Sequence, residues 1–340
     1  MGHGQFKGTY SIQTHQRKVT GAPLVWDQDK LFLLTGYGAF DEVEFDDVKS
    51  YKKKSDARIV YSRNSFQKKL KIEFGSAYQI SQTQDYLVVH AHGQSGFWPQ
   101  RIQSVYTSFQ NYFQGRRINL AKRQYPLVAI IFKTRKEFDD YAKKNQNKID
   151  PNVVGYYSPN SNRVLMYDQS KTGKLWQSNF DTIVHEIAHQ AAFNCGIHGR
   201  FADTPRWAVE GLGTMFEAKG VYHSLKHKRQ TDRLNPGLLH LFNNKVLQAN
   251  RTGWIGPILV GNRLFNKDPE LAYSCSWALT FYLMETQPYE YMNYMRKLNR
   301  LPAFQSYSQQ DRLSHFVTHF GDIARLEGAA KNFFAKFGLE

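Results

Sequence analysis

In the first half of the chain, apolar residues fall into short runs separated by turn residues, and this pattern predicts strands alternating with helices. Leu31-Phe32-Leu33-Leu34, Arg58-Ile59-Val60-Tyr61 and Tyr86-Leu87-Val88-Val89 read as strands. Asp41 to Phe45 alternates polar and apolar, as a strand with one buried face does. Phe66, Leu70 and Phe74 have helical spacing that stops at Gly75, and Ile102, Val105, Tyr106, Phe109, Tyr112 and Phe113 form an apolar stripe at helical period. Pro126 to Phe132 is a buried strand, and Thr134 caps a helix through Phe138 and Tyr141. A turn-rich segment, Gly155 to Pro159, leads into a strand from Asn162 to Tyr167.

From Leu175 onward helical spacing dominates. The expected division is therefore a mixed α/β N-terminal lobe over 21–174 and a helical lobe over 175–340, with the active-site cleft between them. Residues 1–20 are polar and glycine-containing and read as a flexible or artificial N-terminal stretch.

The chain has 340 residues, 41% hydrophobic and 15% aromatic, enough for a sizeable core. No apolar run reaches the ~18 residues that span a bilayer, and the N-terminus lacks the apolar stretch of a secretory signal. A net charge of +16 favours anionic partners such as nucleic acid, acidic lipid headgroups or acidic polymers of a cell envelope. The basic residues are scattered, however, and no zinc-finger, RNA-binding-sheet or helix-turn-helix signature accompanies them, so specific nucleic-acid binding is not expected. The two cysteines, Cys195 and Cys275, are too few for a disulfide scaffold and match no zinc spacing.

The candidate chemistry lies at residues 185–189, His-Glu-Ile-Ala-His. Histidines at i and i+4 stand on one helix face, one turn apart, and both imidazoles reach a single Zn²⁺ at ~2.0–2.1 Å. Glu186 is offset by ~100° around the helix, where it can address a metal-bound water without ligating the ion. Ser178 is a candidate N-cap for this helix, with Asp181 in its first turn, and Gly196 is a candidate left-handed stop. The next helix opens at Thr204-Pro205 and is expected to close at Gly220. A short loop between the two helices brings Glu210 back to the metal as third ligand. Gly211 and Gly213 inside that helix each cost ~1 kcal/mol against alanine, a cost that makes sense if the backbone presses on the zinc helix. Glu217, on the same face as Glu210, reads either as a solvated glutamate or as a residue that orients a ligand histidine. His90 and His92 share a strand face, but two histidines alone do not make a metal site. His198, His223 and His227 fall in or near connecting segments and read as exposed.

The HEIAH sequence followed by Trp207-x-x-Glu210-Gly211-Leu212 resembles the gluzincin branch of zinc metallopeptidases. The wider stretches from His185 to Ile197 and from Pro205 to Glu217 look like an uncharacterised bacterial family of the peptidase MA-like superfamily, a domain of unknown function. Gly155 to Pro159 and Asn162 to Val164 are similar to its pattern too, and the resemblance runs over about Tyr125 to Glu285.

The resemblance implies an α+β, zincin-like metallopeptidase fold and one zinc per chain held by His185, His189 and Glu210, with Glu186 as catalytic base. In related gluzincin aminopeptidases a helix of similar pattern supplies a tyrosine that stabilises the oxyanion. Tyr273, in the helix opened by Asp268-Pro269, matches that place by local pattern, the other reading being a tyrosine of the core. If this helix packs on the zinc helix, Cys275 approaches Cys195 and a disulfide between them becomes an option.

The expected activity is hydrolysis of a peptide or protein substrate, with an anionic envelope component as a candidate partner. A periplasmic, envelope or secreted location is preferred over the cytoplasm on charge and family habit. The strand Asn162 to Tyr167 is expected to border the cleft and take a substrate chain along its edge, an expectation that a central place in the sheet would remove. The rival reading is a zincin-like binding protein that holds zinc for structure, or no metal, and grips an anionic partner. Glu186 argues against it, because a structural site has no use for a base and keeps no open position.

Overall fold

In a computed structural model, residues 8–26, 29–94, 97–145, 149–169, 176–224 and 226–337 are described, without side chains for 176–179. The fold is mixed α+β, with two five-stranded sheets followed by a long helical stretch. It divides into two compact units, Met1–Gln103 with Arg123–Lys174, and Ser104–Lys122 with Leu175–Glu340.

In the first unit, β1 (Thr9–Thr14), β2 (Lys18–Trp26), β3 (Lys30–Thr35), β4 (Phe40–Glu44) and β5 (Val48–Ser55) form an antiparallel sheet of order β4-β3-β2-β1-β5. Ile12, Val19, Leu33 and Val43 make a small core on it. From Thr9 onward the stretch expected to be flexible or artificial forms β1 and the start of β2. β1 is paired on both sides, by β2 and by β5. Met1 to Lys7 lie outside the described residues.

Arg58 to Tyr61 is not a strand. The segment runs from β5 into α1 (Arg63–Phe74) and is held by isolated bonds instead: Ile59 N–H donates to Thr9 Oγ1 and Tyr61 N–H to the Gly36 carbonyl. Gly75 stops α1 at φ +58°, where a glycine pays least.

The second sheet has order β6-β7-β8-β10-β9, from β6 (Gln79–Gln82), β7 (Tyr86–His90), β8 (Leu127–Phe132), β9 (Gly155–Ser158) and β10 (Arg163–Tyr167). Strands β7, β8 and β10 run parallel, and every residue of β7 and β8 is buried, as expected of strands covered on both faces. The turn-rich reading of Gly155 to Pro159 gives way to a strand, and that strand is the edge. β10 is paired on both sides, by β8 and β9, so it has no free edge for a substrate chain. Helix α2 is Trp98–Gln114. Helix α3 (Arg135–Lys144), capped by Thr134 through Glu137 N–H, packs on β8 and β10.

The second unit carries α4 (Trp176–Asn194), α5 (Arg206–Phe216), α6 (Lys219–Tyr222), α7 (Pro236–Phe242), α8 (Gly256–Leu259) and α9 (Arg263–Lys267). It continues through α10 (Pro269–Thr286), α11 (Pro288–Asn299), α12 (Gln309–Phe320) and α13 (Ile323–Phe334). Ser104–Lys122 belongs here because Phe109, Tyr112 and Phe113 close around Phe216, with ring centroids 4.7, 5.2 and 6.1 Å away. Arg116 adds an ion pair to Glu285 at 3.0 Å. Among the described residues, no helix is long and apolar enough to cross a membrane.

Candidate metal centre

Helix α4 begins at Trp176, so Ser178 lies within it rather than capping it, and it ends before Gly196, whose φ of +77° turns the chain. Ile183, Val184, Ile187, Ala188 and Ala191 are buried around the histidine face and fix the helix rotation. Helix α5 starts one residue later than its sequence suggests. Pro205 takes the cap position, while the Thr204 hydroxyl turns back to the Gly199 carbonyl at 3.3 Å. It ends at Phe216, and Gly220 sits in α6 instead of closing α5.

α5 packs against both α4 and α10, and its two glycines mark the two contacts. A Cβ on Gly213 would lie 2.8 Å from the Cε1 atoms of both His185 and His189. A Cβ on Gly211 would collide with Thr280 Oγ1 and the Ser276 carbonyl of α10.

This packing brings His185, His189 and Glu210 together. Nε2 of His189 is 2.8 Å from Nε2 of His185, and Glu210 Oε2 is 3.4 Å from Nε2 of His185 and 3.8 Å from Nε2 of His189. A tetrahedral ion with bonds of ~2.05 Å sets its ligand atoms about 3.3 Å apart. The three observed separations bracket that value, so the residues fit a small divalent ion. Among the described residues this is the group of histidines, cysteines and carboxylates close enough together to hold a metal.

The charges point the same way. Burial pushes the Glu210 carboxyl up, but the two histidines beside it outweigh this and hold it well below the usual carboxylate range. Burial likewise opposes protonation of His185, yet Glu210, Glu217 and Glu186 raise its proton affinity well above the usual value. Several carboxylates crowded around two imidazoles favour positive charge there.

Glu217 takes the orienting place. Its Oε1 is 2.8 Å from His185 Nδ1, which fixes that ring with Nε2 turned toward Glu210. Asn235 donates to the other oxygen, Oε2, at 2.9 Å.

Residues 179–305 match the family described as Protein of unknown function (DUF1570). That stretch carries both histidines, Glu186, Glu210 and Tyr273. No curated protein matches the chain. Among solved structures, a mutant of an M1 zinc metallopeptidase from Deinococcus radiodurans is similar over 77% of this chain and 52% of that one, at 12% identity and a TM-score of 0.33. A mutant of a two-domain M1 zinc metallopeptidase bound to L-arginine is similar over 75% of this chain and 50% of that one, at 10% identity and a TM-score of 0.31. The chain spans about half the length of those two chains.

Tyr273 lies on α10 with its hydroxyl 3.4 Å from Arg206 Nη2. Burial and the nearby Glu210 charge raise its phenol, so it stays protonated and able to donate. Sequence reasoning passed over Arg206, whose Nε is 3.7 Å from Glu210 Oε1 and whose guanidinium stacks 4.6 Å from the Phe265 ring centroid. Its position four residues before Glu210 on one helix was the available signal.

His198 departs from the exposed reading. It is 1% exposed and packs on Phe193, and neither ring nitrogen has a hydrogen-bond partner among the described residues. Burial pushes it down to about 3, so it is neutral. His90 and His92 are occupied elsewhere, by Ser81 Oγ and the Ser76 carbonyl. Cys195 and Cys275 are free thiols, both buried. Helix α5 stands between their helices, and Cys195 meets Tyr106 instead, so the disulfide option falls.

Proposed function

We propose that this chain is a zinc-dependent metallopeptidase of the gluzincin type. The observation that carries the reading is the convergence of His185 Nε2, His189 Nε2 and Glu210 Oε2, with Glu186 on the same helix turn as the first histidine. Held by these three residues, Zn²⁺ would supply a Lewis acid and lower the pKa of water at its open position toward ~7. Glu186 then accepts the proton of the attacking water and passes it to the leaving amine. Tyr273 donates a hydrogen bond to the oxygen on which negative charge develops. Arg206 donates to the Tyr273 oxygen, which leaves the phenol proton free for that task.

The test combines zinc analysis with digestion of a mixed peptide library by wild type and Glu186→Gln. The expected result is about one zinc per chain in both proteins, by the ligand count of such sites, and cleavage by wild type alone. Bound zinc without cleavage by wild type would favour the binding-protein reading.

A further inference from the structure

We infer that Asn235, outside the candidate metal site, is a positioning residue for it, acting on His185 through Glu217. The inference rests on the metal reading above. The Asn235 side-chain amide is fully committed. Its nitrogen donates to Glu217 Oε2 at 2.9 Å and to the Thr214 carbonyl at 3.2 Å, and its oxygen accepts Leu238 N–H at 3.2 Å. The amide cannot be flipped, because that would turn an oxygen toward two acceptors.

Three structures are therefore tied at one point: the last turn of α5, the first turn of α7, and the carboxylate that holds His185. The Thr214 carbonyl belongs to the end of α5, where carbonyls lack partners within the helix, so the amide also closes that end.

The tie has a competitor. A cavity of about 520 Å³ borders Glu217 and Asn235, with Asp181, Tyr222, His227 and Asp232 among its lining residues. Glu217 is 25% exposed, so water can solvate it from that side. Without the Asn235 donor, the carboxylate is free to rotate toward the cavity and release the His185 ring. An outer partner of a metal-bound histidine typically matters by 10- to 100-fold in metal affinity.

Asn235→Asp separates the two tasks of the residue. A carboxylate still caps α7, since aspartate is as good a cap as asparagine. It replaces the donor with an oxygen set against Glu217 and the Thr214 carbonyl. Asn235→Ser is the second variant, keeping a capping oxygen without a donor that reaches Glu217.

Zinc affinity is measured by competition with a chromophoric chelator, and folding of the metal-free proteins by near-ultraviolet circular dichroism. We expect folded variants whose zinc dissociation constant rises about 10- to 100-fold. In a Glu217→Ala background, the same substitutions cost less than about 2-fold more, because the path they act through is already gone. Unchanged or tighter zinc binding by Asn235→Asp overturns the inference, as does an undiminished loss in the Glu217→Ala background, which would assign Asn235 to capping alone. Absence of zinc binding by wild type and Asn235→Asp alike, with both folded, removes the site reading and the inference with it.

Discussion

Two residues give the candidate site its sharpest tests. Gly213 and Gly211 are two positions apart on α5 but face different neighbours, so alanine should act differently at each. Gly213→Ala gains helix propensity of ~1 kcal/mol and places a methyl 2.8 Å from both histidine rings. Displacement of the rings is the cheaper escape, so zinc affinity should fall by about 10-fold or more while the melting temperature changes little. Gly211→Ala instead meets the backbone of α10 at Ser276, which cannot yield as a ring can, and should cost about 1–3 kcal/mol of stability. Denaturant unfolding of the metal-free proteins, with zinc titrations alongside, distinguishes the two; equal effects on both quantities would contradict this assignment. His198 is the second case. With a folded pKa of about 3 against the usual 6.5, it contributes nothing above pH 6.5, where both states are neutral. Between those values the unfolded chain takes up a proton that the folded chain refuses, so stability falls as the pH drops, by up to about 1.4 kcal/mol per pH unit. His185, whose folded pKa is raised, contributes in the opposite sense, favouring the folded state at low pH and fading as pH rises. The difference between His198→Phe and wild type isolates the first effect. Urea unfolding at several pH values from 7 down to 5 should show the variant losing less stability on acidification, and parallel curves would refute the account.

At the scale of elements, α5 is the partition that keeps the two thiols apart. Cys195 follows the last residue of α4 and meets Tyr106, whereas Cys275 lies in α10, where burial pushes its thiol up to about 12. Both should resist a thiol reagent in the folded protein and both should react once denaturant unfolds it, with no reductant needed; a requirement for reductant would mean that they are bridged. The same elements show what the sequence could disclose. Helix α4 was legible because the i, i+4 spacing of its histidines, Gly196 after its end and the apolar positions around the histidines are local signals. Caps that bond within their own turn, such as Thr134 and Asp268, were legible for the same reason. Thr204 failed as a cap because its hydroxyl found the Gly199 carbonyl, a contact that depends on the path of the loop. Strand β10 read as a candidate edge because nothing in Arg163 to Tyr167 announces that Gly155 to Ser158 will pair beside it. β1 was hidden more completely. Thr9 and Ser11 are polar yet buried, and their place in a strand comes from pairing, Ser11 with β2 and both with β5, far along the chain. Asn235 gave no sequence signal toward Glu217 at all, since its visible role is the Asn-Pro opening of α7.

For the molecule as a whole, the helical unit is not a continuous piece of chain, and this bears on how the candidate metal centre is kept. The unit draws Ser104–Lys122 from well before α4. Phe109 and Phe113 are fully buried, and Tyr112 is 1% exposed. All three rings enclose Phe216, the last residue of the helix that carries Glu210. Arg116 shares Glu285 with Arg233, which ties the same segment to the end of α10. A fragment beginning at residue 175 would keep every candidate ligand yet expose Phe216 and leave Glu285 to Arg233 and Gln230. Burial of a phenylalanine of this kind is worth about 3–5 kcal/mol when cut to alanine, a large share of the roughly 5–15 kcal/mol that holds a domain together. Removing three such rings forfeits an amount comparable to that whole margin. The 175–340 fragment should therefore show helical far-ultraviolet dichroism without a cooperative thermal transition, and should bind zinc far more weakly than the full chain. Phe109→Ala in the full chain should unfold cooperatively at lower denaturant, by about 3–5 kcal/mol. A fragment that melts cooperatively and binds zinc as tightly as the full chain would show that the earlier segment is dispensable and that the ligand helices fold without it.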